Sequence, residues 1–327
     1  CLLGERVRHD GGHLKFDWVM QELSLHAHFK PVCPEVAMGL GVPRPAMRLE
    51  YRKEEKGKLG EKKRLVSLSQ KGRPSEDLTE KAQETAKQIV DELPFEASVE
   101  GEGFISGFIL AKKSPSCGVE RVKVYQQESG IPDQSDRGLF AQELIERSPL
   151  LPVIDSGRLH DLDEREDFMK RVVAYHRFHE AFRTREDSVL KTLQKFHQQY
   201  KYLLMEYNQN KQTELGRLAA NAKGRNEVDV VEEYRQMFFE LLNSSRPTKS
   251  SRKNVFFHLF GYFKNDLESE DKNHFLNLVE EYDRGESPYM AVVKMLEYFT
   301  KKYHKSYLMD QYYFCPYPKE LALQKHQ

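Results

Sequence analysis

The chain has 327 residues, more than one ordinary small core needs, and two domains are therefore expected. Its 51 basic and 51 acidic residues cancel, so the total charge indicates no partner, and any nucleic-acid binding must depend on local patches. No apolar run approaches the roughly 20 residues that span a bilayer, and no signal-peptide pattern opens the chain, so a cytoplasmic protein without membrane partners is expected.

The first part of the chain, residues 1–155, alternates glycine- and proline-rich turns with short apolar runs. An amphipathic helix is predicted for the stretch DLTEKAQETAKQIVDEL, which starts at the cap-like Asp77. Its residues Ala82, Ala86 and Ile89 are spaced for one helical face.

The stretch FISGFIL (104–110) is typical of a buried strand, and it ends at the loop KKSPSCG. Alternating strands, loops and helices predict an α/β domain that is Rossmann-like, with a mixed or parallel sheet and its site at the strand ends. Residues 51–73 are rich in charge and are predicted to form a hairpin or an exposed loop.

Three cysteines of this region lie in turns beside glycine, proline or serine, in CLLGERVRHDGG (1–12), PVCPEVAMGLGVPRP (31–45) and KSPSCG (113–118). Pro34 fixes the backbone after Cys33, and Gly118 lets the backbone come close to a group held by Cys117. Three such cysteines could converge on a metal, and three protein ligands would leave one metal position open for substrate. The alternative is unrelated buried thiols that behave as small hydrophobes.

Taken together, these stretches resemble the thiouracil desulfidase family of TudS-type proteins over residues 1–155. The shared features are CLLG with a following DG, CPE followed by a glycine-rich GL and PRP segment, and an SPSCG loop, in that order. The resemblance implies a [4Fe–4S] cluster held by Cys1, Cys33 and Cys117, with the fourth iron free to take the sulfur of a thiocarbonyl substrate. It also implies a hydrolytic desulfuration, in which water supplies the replacing oxygen without net redox change.

Acid–base help is expected from Glu35, two residues after Cys33, and from Asp10, which precedes two glycines. Both have a structural alternative, because Glu35 could accept amides of its own turn and Asp10 could be a plain turn residue. Ser114 and Ser116 either take part in catalysis by hydrogen bonding to cluster sulfur or substrate, or they cap the turn.

Two further residues are candidates for contact with the substrate. Ser106 lies on the predicted strand. Arg44, in VPRP, could face a base or a phosphate, and the alternative is a structural arginine that pairs with a carboxylate.

From about Asp161 the sequence changes to long helical patterns with few glycines or prolines. A connecting helix or linker is predicted for residues 156–181, and an all-α domain for residues 182–327. Within that domain, Gly285 is predicted to end a helix, and a further helical pattern covers residues 287–314.

This second region resembles the YbgA-like helical domain, which occurs alone or fused to a desulfidase domain. The resemblance is carried by KFHQQYKYLLMEYNQNKQTELGRLAA (195–220), HLFGYFKNDL (258–267) and DQYYFCPYPKELALQKH (310–326). Such a fusion implies action on thiolated uridine in tRNA, 4-thiouridine in particular, with the helical domain presenting the RNA to the cluster.

A local basic segment, SSRPTKSSRKN (244–254), is predicted to bind RNA phosphates through Arg246, Lys249, Arg252 and Lys253. The alternative is an exposed interhelical loop that is basic by chance. The phenylalanines of the following VFFHLFGYFK could stack on unpaired bases, although their helical spacing is typical of a core.

Cys315, in YYFCPYP, is expected to be structural, and the histidines of this region to be core or surface residues. Two other functions stay open. The chain could desulfurate only free thiouracil-type bases, with the helical domain serving oligomerisation, or it could be a non-enzymatic RNA-binding or iron–sulfur sensor protein.

Overall fold

The computed structural model of the protein describes residues 1–51, 63–95, 103–127 and 129–321. The chain divides into two compact units, Cys1–Val172 and Val173–Gln327. Within the described ranges, no helix is both long enough and apolar enough to cross a bilayer.

The strands of the first unit are β1 Met47–Tyr51, β2 Arg64–Leu68, β3 Pro74–Asp77, β4 Phe108–Leu110, β5 Val122–Gln126, β6 Pro132–Asp136 and β7 Val153–Asp155. A mixed sheet has the order β3-β2-β1-β5-β6, in which β1 and β5 run parallel and the other neighbours are antiparallel. Strands β4 and β7 form a separate parallel pair. With the helices below, this architecture confirms the predicted α/β class and its mixed sheet.

The charge-rich segment at 51–73 is bordered by the antiparallel pair of β1 and β2, in which Leu49 lies opposite Leu65. Both of these leucines are fully buried. Residues 52–62, the centre of the predicted hairpin or exposed loop, lie outside the described residues.

The helices of the first unit are α1 Asp17–Gln21, α2 Pro34–Ala37, α3 Thr79–Asp91, α4 Leu139–Arg147 and α5 Leu162–Arg183, which contains the division at Val172. Helix α3 buries Ala82 and Ala86 on the predicted face, and Ala82 belongs to the core of the mixed sheet. Asp77 accepts the N–H of Thr79 at 3.0 Å, but it is the last residue of β3, and the N-cap residue of α3 is Leu78, whose side chain makes no capping bond. The predicted helix start at Asp77 is therefore wrong by two residues.

Strand β4 is shorter than the predicted strand over 104–110, because the backbone before it bonds elsewhere. The N–H of Ile105 donates to the carbonyl of Pro94 at 2.7 Å, and strand pairing with β7 begins only at Phe108. Since β4 and β7 are parallel, Leu110 and Asp155 end the two strands side by side. The loop that carries Cys117 therefore leaves the pair at the same edge as the residues that follow β7.

The second unit is helical, and none of its residues up to 321 forms a strand. Its helices after α5 are α6 Val189–Tyr207, α7 Gln209–Ala220, α8 Glu227–Ser244, α9 Lys249–Phe260, α10 Ser269–Arg284, α11 Tyr289–Lys302 and α12 Ser306–Met309. Helix α10 ends as predicted at Gly285, which has a left-handed φ of 79°. The pattern at 287–314 is divided into α11 and α12, because His304 takes a left-handed φ of 49° between them.

The basic segment 244–254 is mostly helical, so the prediction of an interhelical loop is wrong beyond residue 248. Thr248 and Ser251 cap α9 reciprocally, with the Ser251 N–H on Thr248 Oγ1 at 3.1 Å and the Thr248 N–H on Ser251 Oγ at 2.9 Å. The sequence signal for this cap is weak, because serine takes the third helical position, where glutamate or glutamine usually closes the box.

The aromatic residues after this segment are largely core, in agreement with the structural alternative. Phe256 and Phe263 are fully buried, and the ring of Phe260 stacks on Phe275 with centroids 4.1 Å apart. Phe257 differs, since it is 46% exposed.

Three of the four cations predicted to bind RNA are engaged by acceptors from other helices. Arg252 Nε donates to Glu206 Oε1 at 3.0 Å, and Glu206 has no exposed surface. Lys253 Nζ lies 2.6 Å from a carboxylate oxygen of Asp283, and Lys249 Nζ donates to the carbonyl of Asp283 at 2.9 Å. RNA binding by these residues stays a prediction, but Arg252 contributes to the core of the helical unit.

Replacing Arg252 by alanine should lower the free energy of unfolding of the helical unit by about 3–5 kcal/mol, because Glu206 would stay buried without a counter-ion. The matched control is Lys253→Ala, whose partly exposed pair with Asp283 should contribute about 0–1 kcal/mol. Urea unfolding followed by far-ultraviolet circular dichroism measures both. Equal losses in the two variants would contradict the assignment.

Candidate active site

The segment that carries Cys1 folds back on the residues before α1. The Cys1 carbonyl accepts the N–H groups of Gly4 and Leu14, both at 3.1 Å, and the N–H of Phe16 donates to the Leu2 carbonyl at 3.2 Å. Cys1 is thus held by backbone bonds to chain more than ten residues away, and its thiol is partly buried.

Cys33 is the N-cap residue of the short helix α2. Pro34 occupies the first helical position. A backbone N–H at that position would have no partner within the helix, so proline, which has no N–H, costs no hydrogen bond there. Glu35 follows in the first turn. The Cys33 carbonyl accepts the N–H of Ala37 at 3.0 Å, which fixes the cysteine relative to the helix. The CPE motif therefore places the thiol and the carboxylate on one turn.

Cys117 lies in a turn built around the hydroxyl of Ser114. Ser114 Oγ accepts the N–H of Ser116 at 3.2 Å and that of Cys117 at 3.0 Å, so the capping alternative for Ser114 is observed. The loop is tightly enclosed. A Cβ at Gly118 would lie 2.2 Å from Val122 Cγ2, and a Cβ at Gly138 would lie 2.4 Å from the Ser116 carbonyl oxygen.

One network of side chains joins the three cysteine-bearing segments. Glu35 Oε1 accepts from the Ser114 hydroxyl at 3.3 Å, and Glu35 Oε2 accepts from Arg44 Nε at 3.1 Å and from Arg44 Nη2. Arg44 Nη2 also donates to the Val7 carbonyl at 2.8 Å, and the Arg44 N–H donates to the His9 carbonyl at 2.9 Å. The Arg44–Glu35–Ser114 network thus links residues 1–12, 31–45 and 113–118.

Arg44 corresponds to the structural alternative of the sequence analysis, an arginine paired with a carboxylate. Its side chain is 4% exposed, and its guanidinium is bonded to Glu35, Val7 and Gly41. Contact of Arg44 with a substrate stays a prediction. Glu35 is more open, with 14% of its side chain exposed.

The surroundings of the Cys117 thiol disfavour its thiolate form. Burial, the Glu35 carboxylate and the Cys33 thiol all raise the pKa of Cys117, against the opposing effects of Ser114 and the amino group of Cys1. Groups from all three cysteine segments therefore act on one another. Such a set of thiols and a carboxylate is suited to a thiophilic cation, because a bound metal displaces the thiol proton outright.

The donor set consists of three thiols, the ligand type that iron–sulfur clusters use. Among the residues that the structure describes, no group of three or more histidine, cysteine or acidic side chains is close enough to hold one metal ion. A [4Fe–4S] cluster does not need such convergence, because each cysteine binds a different iron. Beside Cys117, the hydroxyl of Ser116 is buried and has no hydrogen-bond partner among the described residues. A group outside the chain would satisfy it.

The other two predicted site residues are placed less centrally. Asp10 forms a turn, with Oδ1 accepting the Gly12 N–H at 2.9 Å and Oδ2 lying 3.5 Å from Arg8 Nη1. The hydrogen bond from Gly12 lowers the pKa of the Asp10 carboxyl, which is exposed. Ser106 is partly buried and precedes β4 instead of lying on a strand.

Sequence reasoning missed the polar residues Asp155 and Ser156 at the end of β7. Ser156 Oγ accepts the Lys112 N–H at 3.1 Å, and Asp155 Oδ1 accepts the Gly157 N–H at 2.7 Å. Burial raises the pKa of Asp155. The pairing of β7 with β4 decides that these residues border the Cys117 loop, and the only sequence signal was an acidic residue directly after a short apolar run.

Replacing Arg44 by alanine should lower the free energy of unfolding of the first unit by about 2–4 kcal/mol, since several hydrogen bonds to buried groups would be lost. The loss should appear in protein without any metal. Arg147→Ala is the control, because its pair with Asp91 is exposed and should contribute about 0–1 kcal/mol. Chemical denaturation measures both, and a loss below 1 kcal/mol for Arg44→Ala would refute the network's role.

A methyl group at position 138 should displace the Cys117 loop, because it would meet the backbone of Ser116 and Cys117. We expect Gly138→Ala to destabilise the first unit by about 1–3 kcal/mol and to speed alkylation of the Cys117 thiol. Gly41→Ala is the matched control, since no atom lies within 4 Å of its added methyl. Equal alkylation rates in both variants would show that the loop tolerates the methyl group.

Comparison with known proteins supports the division of the chain and the nature of its first part. A family model described as 2-thiouracil desulfurase matches residues 1–156, and one described as a protein of unknown function (DUF1722) matches residues 201–318. The uncharacterized protein YbgA of Escherichia coli (strain K12) is 28% identical over 147 residues, which cover 44% of this chain and 86% of YbgA. No solved structure is significantly similar to the chain.

These matches confirm the resemblance that the cysteine motifs and the helical segments indicated. The desulfurase model covers the three cysteine-bearing segments and the network that joins them. Residues 1–156 therefore form a domain similar to the 2-thiouracil desulfurases, and a YbgA-like domain follows it.

Proposed function

We propose that the protein is a [4Fe–4S]-dependent desulfidase that replaces the thiocarbonyl sulfur of a thiolated uracil with oxygen, and that its substrate is 4-thiouridine in tRNA. The observation that carries the proposal is the Arg44–Glu35–Ser114 network, which holds three cysteine-bearing segments together within a 2-thiouracil desulfurase domain. Family membership supports desulfuration of a thiouracil. The cluster and the tRNA substrate are the finer parts of the proposal.

The reaction balances with water as the only co-reactant. The carbon–sulfur bond breaks, a carbon–oxygen bond forms, and sulfur leaves as hydrogen sulfide, so no electron is transferred. Cys1, Cys33 and Cys117 would hold the cluster. When bound, it supplies a thiophilic Lewis acid with one iron free of protein ligands.

Glu35 is the residue best placed to take a proton from the attacking water. Its two oxygens are oriented by Ser114 and Arg44, and its partial exposure leaves lone pairs accessible from the site. Ser116 would donate its buried hydroxyl to sulfur, which would give that group the partner it lacks among the described residues. Asp10 would be the second acid–base group, on an exposed turn where its carboxylate is open to solvent.

The tRNA substrate is supported by the presence of a second, helical unit of YbgA-like type. A free base would need only the first site. In a tRNA that carries the thiolated base, the helical unit could bind other parts of the RNA. Cations bind its phosphates, and aromatic rings stack on its unpaired bases.

Replacing Cys117 by alanine should abolish iron binding and desulfuration together, because one of three ligands is lost. Iron content and visible absorption after anaerobic reconstitution measure the first effect. Loss of 4-thiouridine absorbance from bulk tRNA, beside sulfide release from free 2-thiouracil, measures the second. The control is Cys315→Ala, whose thiol contacts the Tyr317 carbonyl and should keep both properties.

Full desulfuration by the Cys117→Ala variant would overturn the cluster mechanism. Efficient turnover of free 2-thiouracil with none of tRNA would reject the tRNA substrate and leave the small thiobases as the natural class.

A further inference from the structure

Helix α11 presents a basic face that the sequence analysis did not single out. Its solvent side carries Lys294, Tyr298, Lys301 and Lys302, and Tyr298 lies three or four residues from each of the lysines, so the four share one face. The opposite side buries Val292, Val293, Leu296 and Phe299 in the core of the helical unit. The helix is anchored by that core, so the basic face is fixed in place.

Three lysines share one carboxylate on this face. Glu297 lies 2.7 Å from Lys294 Nζ, 2.8 Å from Lys301 Nζ and 3.3 Å from Nζ of Lys319 in the C-terminal segment. Although burial raises its pKa, the three lysines lower the pKa of Glu297 to about 2, so it stays ionised. One negative charge thus faces three positive ones, and a positive surplus remains.

The surplus charge points to solvent. The side chains of Lys294, Lys301 and Lys319 are 57–67% exposed, whereas that of Glu297 is only 11% exposed. The predicted RNA residues on α9 differ, because Arg252 is paired with a buried glutamate and Lys253 with its own aspartate. Lys294 and Lys301 are therefore better able to contact phosphates, whereas Lys302 lies 3.7 Å from a carboxylate oxygen of Asp271 and flanks them.

Tyr298 adds an exposed aromatic ring within the lysines. It is 57% exposed, and Lys302 Nζ lies 5.7 Å from its ring centroid. Aromatic rings flanked by cations are the usual platform for unpaired bases, with stacking on the ring and phosphates on the cations. A protein partner is disfavoured, since lysine is depleted at protein–protein interfaces.

We infer that Lys294, Tyr298, Lys301, Lys302 and Lys319 form the surface that binds an unpaired segment of the substrate RNA. This inference rests on the proposed function and moves the RNA contact from α9 to α11. The side chains have separate tasks, because the lysines bind phosphates without regard to sequence and the tyrosine stacks on a base.

The test is binding of unmodified tRNA to the full-length, cluster-loaded protein, measured by fluorescence anisotropy across a salt series. Lys301→Gln and Lys294→Gln should each weaken binding and reduce the slope of log affinity against log salt by about 0.7–0.9. Tyr298→Ala should weaken binding about fivefold or more, whereas Tyr298→Phe should keep it, because stacking needs the ring and not the hydroxyl.

Two further variants separate RNA binding from a structural role. Glu297→Gln removes the shared negative charge, so it should strengthen tRNA binding, whereas a purely structural ion cluster would only lose stability. Lys253→Gln on α9 is the matched control and should leave binding within about twofold. All variants should turn over free 2-thiouracil at the wild-type rate.

Unchanged affinity and salt slope in Lys301→Gln and Tyr298→Ala would overturn the inference. Loss of 4-thiouridine from tRNA by the wild type would then still uphold the proposed function. If the wild type turns over free 2-thiouracil but neither binds nor desulfurates tRNA, the tRNA substrate and the inferred surface both fall.

Discussion

The ion pair between Arg44 and Glu35 is the interaction on which the candidate site depends. Its guanidinium is almost fully buried and bonds both to the carboxylate and to the backbone of the segment that carries Cys1. Through Ser114, the same carboxylate reaches the turn of Cys117. A charge removed from water in this way must be paired and hydrogen-bonded. The hydrogen bonds that satisfy Arg44 and Glu35 also fix the three cysteine-bearing segments relative to one another. Positioning of the thiols and stability of the domain therefore have one cause.

The helical unit uses the same kind of pair for a different result. Arg252 and Glu206 lie among core residues, where the guanidinium of Arg252 also covers Tyr289, with Cζ 4.4 Å from the ring centroid. Here the pair fixes α9 to α6, and it engages Arg252, a cation that the sequence analysis predicted to bind RNA. On α11 the balance is reversed, because three lysines share Glu297 and their ammonium groups stay in solvent. Burial of the carboxylate and the number of its partners decide which cations remain available.

Local patterns predicted the elements whose physics is local. The buried alanines of α3 and the left-handed Gly285 that ends α10 both depend on residues within one or two turns. The strand at 104–110 and the loop at 244–254 were predicted less well. The limits of β4 depend on its pairing with β7 and on a bond from Ile105 to Pro94, both distant in sequence. The start of α9 depends on a capping box closed by serine, a weak signal by itself.

The sequence alone determined the class of each domain and the family that the first one resembles, because periodicity and three ordered cysteine motifs are properties of short stretches. It also named Glu35, Ser114 and Arg44, but left open whether each is catalytic or structural. Tertiary structure decided that these three form one network and that Ser116 keeps a buried hydroxyl without a partner in the described chain. It likewise assigned Arg252 to a buried pair, and on α11 it placed more lysines around Glu297 than that single carboxylate can neutralise. The reason is that pairing and burial of a charge depend on groups brought from elsewhere in the chain, which no local pattern records.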